Sequence, residues 1–227
     1  MGIGDLAWNR GRVAVIAVAP AFFGAALVAH PHISGRLPNA TAIAAAATAQ
    51  TTMWGVVHLG AAVGSGLIAI AFLAVRSYLQ QAGESRYSEL GVALVVLGST
   101  MYAVLPGMEF VPLAAAENGA TASEVAAAQS AIAGWFTTVL LVGGIAFAAG
   151  ASLFATAISK AGVPSAGLRR VVVAALLVMA VTRLVPLFIA QVYLQSLAAL
   201  VALWPLAYVM WIHPVPPAPR EAALSRA

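Results

Sequence analysis

The sequence contains no cysteine and few charged residues. Without cysteine among its 227 residues, disulfides, thiolate metal sites and cysteine nucleophiles are all excluded. Charged residues make up 8% of the chain, whereas about a quarter is usual in a soluble domain. Hydrophobic residues supply 62%, more apolar surface than a soluble fold of this size could bury. These deficits predict an all-α membrane protein whose main partner is the lipid bilayer.

Apolar stretches divide the chain into about six transmembrane helices. Crossing a hydrocarbon core of ~30 Å takes about 20 helical residues, and polar segments separate six stretches of that length. The first stretch lacks a small-residue cleavage site, so we predict an uncleaved first helix. We expect one transmembrane domain over 1–213 and a proline-rich, disordered cytoplasmic tail over 214–227. The predicted spans are 13–30, 53–75, 90–113, 131–157, 171–189 and 194–212.

Basic residues indicate the orientation of the bundle. The formal charge is +4, but Lys and Arg are scattered between apolar runs and form no stripe, which argues against nucleic-acid binding. Nine of the eleven basic residues fall at the termini and in the second and fourth loops, and only Arg36 and Arg183 do not. Because basic loops stay on the cytoplasmic side, both termini are predicted to be cytoplasmic.

Small residues mark places where helices can approach closely. Gly60 and Gly64 form a small-xxx-small pair, and glycines recur over 143–150. A homo-oligomer is also compatible with such surfaces. The alanine-rich segment 42–50 fits either a separate interfacial helix or an extension of the second span, and we expect the extension.

Three ionisable residues lie inside predicted spans, where a charge costs roughly 2.5–3.5 kcal/mol on insertion scales. Counting from the cytoplasmic charges at ~1.5 Å per residue, His58 lies about 27 Å, Glu109 about 30 Å and Arg183 about 20 Å into the bilayer. All three therefore fall in the outer half. The same arithmetic places Tyr102 at the depth of Arg183.

Aromatic residues accompany these groups and predict an outward-lying pocket formed by the second to fifth spans. Trp54 and His58 are four residues apart and share a helix face, as do Tyr102 and Glu109 at seven. The Pro-Gly pair at 106–107 predicts a kink between the latter two. The predicted substrate-binding residues are Trp54, Phe110, Trp135, Phe136, Arg183 and Tyr193.

Each polar group also has a purely structural interpretation. Glu109 could be solvated at headgroup level, and Arg183 could extend its side chain to the surface or pair with Glu109. His58 could be a hydrogen-bonded packing residue.

An intramembrane enzyme acting on a lipophilic, isoprenoid-like substrate is the favoured function. A carboxylic acid buried among apolar groups favours its protonated form and can donate that proton, and aromatic faces stabilise carbocations. The predicted catalytic residues are Glu109 as general acid with His58 and Tyr102, and no cofactor or metal is required.

Other functions stay open. A proton-coupled small-molecule transporter would use Glu109 with Arg183 as its counter-charge. A haem- or metal-binding subunit would use His30 and His58, with His32 as a further metal ligand. A structural membrane subunit is a third possibility.

Two sequence runs carry a resemblance to known proteins. The runs WGVVHLG at 54–60 and GMEFVPL at 107–113 resemble small alanine-rich membrane proteins of high-GC bacteria. In size and number of spans, the chain resembles the membrane-integral terpene cyclases, including bacterial ones that cyclise prenylated indoles by protonation. This resemblance implies a terpene cyclase, an isomerase or lyase, in the bacterial cytoplasmic membrane. Fungal membrane cyclases use two acids, whereas this chain offers one intramembrane carboxylate, so His58 or Tyr102 would take the second part.

Overall fold

The computed structural model describes residues 3–214, with side chains from residue 9 onward. The predicted proline-rich tail lies outside the described residues except for Pro214. Within the described range the chain forms nine α-helices and one π-helical turn, Ala190–Leu194, which leads directly into the last helix. The helices are α1 Ile3–Val28, α2 Ala40–Ala49, α3 Thr51–Gln81, α4 Arg86–Met108, α5 Phe110–Glu117, α6 Ala122–Ala131, α7 Ala133–Ala161, α8 Ala166–Thr182 and α9 Gln195–Ile212.

Six of these helices form a closed ring. In the order α1, α3, α4, α7, α8 and α9, each packs against the next, and α9 returns to α1. Apolar side chains fill the interior, where the ring of Phe72 lies 4.8 Å from that of Phe154 and 6.1 Å from that of Phe147, both edge-on. The all-α helical bundle predicted from the sequence is thus present.

Five helical segments are long and apolar enough to cross a membrane: Asn9–Val28, Thr51–Gln81, Arg86–Glu117, Ala133–Ala161 and Ala190–Ile212. Large apolar side chains stand exposed on the outside of the ring, Val56 and Ile145 among them, as lipid contact requires. The predicted span 171–189 corresponds to α8, which has 17 residues and ends at Thr182. Helical geometry is disfavoured just before a proline, and Pro186 follows closely.

Three short helices, α2, α5 and α6, close one end of the ring, which we call the capped end. They pack against one another, and α2 and α5 also contact α3. The predicted extension of the second span through 42–50 is wrong: α2 is a separate helix, divided from α3 by Gln50 at φ −145° and ψ 57°. Asn39 begins α2 by accepting a hydrogen bond from the amide of Ala42 (3.2 Å). Packing against α5 and α6 favours the separate helix because it buries the Ile43 face.

A capping box fixes the start of α6. The Thr121 hydroxyl accepts from the amide of Glu124, while the Thr121 amide donates to the Glu124 carboxylate at 2.7 Å. Hydrogen bonds from the Thr121 hydroxyl and amide hold the pKa of Glu124 below its usual value. The fixed helix carries Gln129 into the protein interior.

Close contact between α4 and α7 depends on glycine. A Cβ at Gly98 would lie 2.6 Å from the Phe147 nitrogen, and one at Gly150 would lie 2.7 Å from the Val95 nitrogen. Side chains at these positions would push the helices apart. The predicted kink becomes a break slightly later, because α4 ends at Met108 and α5 starts at Phe110. Glu109 is therefore the junction residue between two helices.

Candidate functional site

A cavity lies inside the ring, beneath the capped end, and we call it the apolar cavity. Its walls come from α1, α3, α4 and α7, with further residues from α2 and from the segments that follow α1 and α8. The cavity has a volume of about 140 Å³. Most of the lining is aliphatic or aromatic, and Glu109 is its single acidic residue. The cavity suits a lipophilic group better than a hydrated one.

Most of the predicted site residues meet at this cavity. Phe110, Trp135 and Tyr193 do not: they lie on the outer surface and are exposed by 40%, 73% and 40%. Successive helical residues point about 100° apart, so Trp135 points outward where its neighbour Phe136 points inward. The predicted residues that line the cavity are Trp54, His58, Tyr102, Glu109, Phe136 and Arg183.

The Glu109 side chain is buried, with 6% of its surface exposed. Its Oε1 accepts a hydrogen bond from Gln129 Nε2 at 3.0 Å, whereas its Oε2 has no partner among the described residues. The backbone carbonyl of Glu109 accepts from the indole N–H of Trp54 at 3.1 Å. The junction between α4 and α5 is thus attached to α3 and α6, which leaves one carboxyl oxygen free.

Arg183 does not pair with Glu109. In the part of the chain that the structure describes, Arg76 and Glu89 form the one ion pair, at 3.4 Å. The guanidinium carbon of Arg183 lies 3.9 Å from the ring centroid of Tyr102, whose hydroxyl donates to the Arg183 carbonyl at 3.1 Å. This contact agrees with the depths calculated from the sequence. Buried by 95%, Arg183 receives cation–π stabilisation instead of a carboxylate partner.

Two histidines form a pair in the cavity wall. His30 Nε2 and His58 Nε2 lie 3.2 Å apart. The Nδ1 of His30 lies 2.7 Å from the Pro31 carbonyl, and that of His58 lies 2.6 Å from the Trp54 carbonyl. Because a carbonyl only accepts, this geometry assigns a proton to each Nδ1. The two Nε2 lone pairs then face each other at a distance that one shared proton would bridge.

The geometry of the pair of His30 and His58 constrains the alternative functions of metal binding and haem binding. No third histidine, cysteine, aspartate or glutamate completes a metal-binding group within the described residues, so a metal ion here would have two protein ligands. The imidazole centroids of His30 and His58 lie 4.7 Å apart in an edge-on contact, which leaves no space for a porphyrin between them. His32 lies farther along the loop, edge-on to Phe188.

Several residues in or beside the cavity carry little signal in the sequence. Gln129 lies in an alanine-rich segment, and its only cue is the capping box that starts its helix eight residues earlier. Gln195 has an amide that its neighbours orient so that the oxygen faces Arg183 Nε at 3.3 Å. Phe188 and Gln191 follow α8, where hydropathy predicts the end of a span for Phe188 and a tight turn near Gln191. Their positions depend on where α8 ends.

No family model, curated protein or solved structure matches this chain. The likeness to terpene cyclases stays an expectation from the sequence. Function is therefore argued from the cavity and its chemistry.

Proposed function

We propose that the chain is a membrane-embedded enzyme that cyclises a lipophilic, isoprenoid-like substrate by protonation, with Glu109 as general acid. One observation carries this proposal. Glu109 lines an apolar cavity with a buried side chain whose Oε2 has no hydrogen-bond partner among the described residues, and Arg183, which lines the same cavity, contacts Tyr102 instead. A buried carboxyl without a cationic partner is less costly when protonated than when ionised. It is then available as a proton donor.

The reaction balances as an isomerisation. The O–H bond of Glu109 breaks as its proton forms a C–H bond with a substrate alkene, which leaves a tertiary carbocation. An internal double bond then attacks this cation and closes a ring. Loss of a proton from the ring to the pair of His30 and His58 ends the reaction, and proton return to Glu109 restores the acid. The product has the mass of the substrate.

Aromatic faces in the cavity suit the cationic intermediate. Trp54, Tyr102 and Phe136 are all nearly buried and line the cavity. Their negative faces stabilise a cation without acting as nucleophiles. The predicted wall at Trp135 is replaced by that of Phe136, since Trp135 points away from the cavity.

Glu109→Gln tests the acid. Purified wild type and variant are given a panel of prenylated substrates, and products of unchanged mass are sought by chromatography with mass spectrometry. The exchange keeps the hydrogen-bonding shape of the side chain but removes the acidic proton, so we expect a fall in turnover of roughly 10²–10⁴-fold, typical of general acid loss. Glu117→Gln is the matched control, an exposed acid at the same end of the bundle. Equal turnover in wild type and Glu109→Gln would refute the assignment.

A proton-coupled carrier is the alternative outcome. Below the apolar cavity, the described ring interior is packed with apolar side chains such as Phe72 and Phe154, an arrangement that favours a closed reaction chamber over a through-path. Proton-driven uptake into liposomes that is lost in Glu109→Gln, with no isomeric product from any substrate, would favour the carrier.

A further inference from the structure

A second cavity lies beside the apolar cavity and contains two arginines. It is lined by Arg36 and Arg183 among aliphatic and small polar residues, and none of its lining residues is acidic. We call it the arginine cavity. It shares part of its wall with the apolar cavity, including Leu140, Gln191 and Arg183 itself. Arg183 therefore borders both spaces.

The Arg183 guanidinium is only partly satisfied by its protein contacts. Tyr102 covers its face, and Gln195 accepts from Nε. Guanidinium N–H groups point outward in the plane of the group, so an aromatic face does not satisfy them. The rings of Phe147 and Phe23 also lie 5.0 and 5.4 Å from the guanidinium carbon, and the Nη atoms have no hydrogen-bond acceptor among the described residues. Because Arg183 lines both cavities, a ligand there would meet a guanidinium with unused donors.

Backbone pairing holds Arg36 beside this site. Arg36 and Leu187 form an isolated antiparallel bridge, and the Leu37 amide donates to the Pro186 carbonyl at 2.9 Å. These bonds connect the loop after α1 with the segment after α8. An exposed arginine is thereby fixed at the mouth of a cavity that has a buried arginine in its wall.

We propose that Arg183 and Arg36 bind the anionic head group of an amphiphilic ligand whose apolar tail occupies the apolar cavity. The planar guanidinium of arginine can donate two parallel hydrogen bonds to carboxylate or phosphate oxygens. A bound anion would also offset the cost of burying the charge of Arg183. The tail would then lie beside Glu109. The inference rests on the proposed function, since it names the substrate class of the same cavity: an isoprenoid that retains its phosphate or carboxylate head through the reaction.

Direct binding tests this without turnover. Equilibrium dialysis of the purified chain in nanodiscs compares farnesyl phosphate with farnesol, which share a tail and differ in the anion. We expect farnesyl phosphate to bind at least about tenfold more tightly, because hydrogen bonds to charged groups contribute that much. Inorganic phosphate, which lacks the tail, should bind far more weakly. Palmitoleate is a second arm that distinguishes a fatty-acid carboxylate from a prenyl phosphate.

Substitutions test which arginines cause the preference for farnesyl phosphate over farnesol. Arg183→Gln should reduce the advantage of farnesyl phosphate over farnesol to near unity, and Arg36→Gln should reduce it in part. Arg76→Gln, on the surface beside Glu89, is the control and should keep the full preference. Arg183→Lys retains the positive charge but lacks the paired donors of the guanidinium, so it should keep part of the preference for farnesyl phosphate. It replaces Arg183→Gln as the test if that variant does not fold. Equal binding of farnesyl phosphate and farnesol by wild type would overturn the inference. So would an unchanged preference for farnesyl phosphate in Arg183→Gln. If Arg183→Gln does not fold, an unchanged preference in both Arg36→Gln and Arg183→Lys would overturn it.

This test separates the two proposals. An anion preference without isomeric products in any assay would refute the enzyme and leave the head-group site standing. Cyclisation of neutral isoprenoids without anion preference would refute the head-group site and support the enzyme.

Discussion

Gln129 connects the capped end to the acid of the cavity. Its amide is the hydrogen-bond donor to Glu109 Oε1, and its side chain is 1% exposed. Because α6 lies outside the ring, this bond makes the cavity depend on the position of a short helix. Glu109 is thus held in place both by its position between α4 and α5 and by the hydrogen bond from Gln129.

We predict that Gln129→Leu destabilises the protein by about 1–3 kcal/mol, because it leaves a buried carboxyl without its hydrogen bond. The measurement is the thermal midpoint in detergent. In a Glu109→Leu background the same change should cost much less, since replacing both polar partners by apolar groups is close to neutral. Ser130→Ala is the control on an exposed neighbour.

Equal destabilisation by Gln129→Leu in the two backgrounds would show that the residues do not interact. The double-mutant cycle is informative because it removes the general effect of changing α6 and isolates the pair.

At the level of helices, the position of the site depends on how closely α4 and α7 pack. The helix α4 carries Tyr102 and ends at Glu109, while α7 carries Phe136. Gly143 and Gly144 lie against Tyr102, and a Cβ at Gly144 would lie 3.4 Å from the tyrosine hydroxyl. Small residues on α7 therefore leave room for the ring that covers Arg183.

Gly150→Ala should destabilise the bundle by about 1–3 kcal/mol, the usual cost of overpacking. The added Cβ would approach the Val95 nitrogen at 2.7 Å and the Gly91 oxygen at 2.8 Å, and both are backbone atoms that cannot rotate away. Gly66→Ala is the matched control, because a Cβ there meets nothing within 4 Å. Alanine is the better helix former by about 1 kcal/mol, so the control should be neutral or slightly stabilising.

The test is a comparison of thermal midpoints in one detergent. A Gly150→Ala midpoint at or above that of wild type would mean that α4 and α7 pack less closely than described.

For the whole molecule, the sequence predicts the membrane helices better than it predicts the site. Five of the six predicted apolar runs correspond to long apolar helical segments, because length and hydropathy largely decide such helices. The break at Gln50 has no such signal, since its flanking alanines fit a continuous helix equally well. The outward orientation of Trp135 depends on how α7 packs against its neighbours. The early end of α8 at Thr182 follows from Pro186, which a hydropathy average does not register. Partners distant in sequence, such as Gln129 and Glu109, cannot be paired from the sequence without knowing how the cap folds.

The lack of cysteine makes the topology of the whole bundle directly measurable. Single cysteines at Ser123 and Ser85 place one thiol on an exposed site of the capped end and one at the opposite end of α4. Because basic loops are retained in the cytoplasm, we predict that Ser123→Cys reacts with a membrane-impermeant maleimide in intact bacterial cells. Ser85→Cys should react only after permeabilisation. Ala199→Cys, fully buried in the ring, is the unreactive control.

The orientation of the bundle determines from which leaflet of the bilayer a ligand enters the apolar cavity. Labelling of Ser123→Cys from outside would place the apolar cavity and Arg36 towards the outer leaflet, so a ligand would arrive from that leaflet. Labelling of Ser85→Cys in intact cells with protection of Ser123→Cys would contradict the cytoplasmic termini. The ligand would then be drawn from the inner leaflet, where the head group of an amphiphile is accessible to cytoplasmic enzymes.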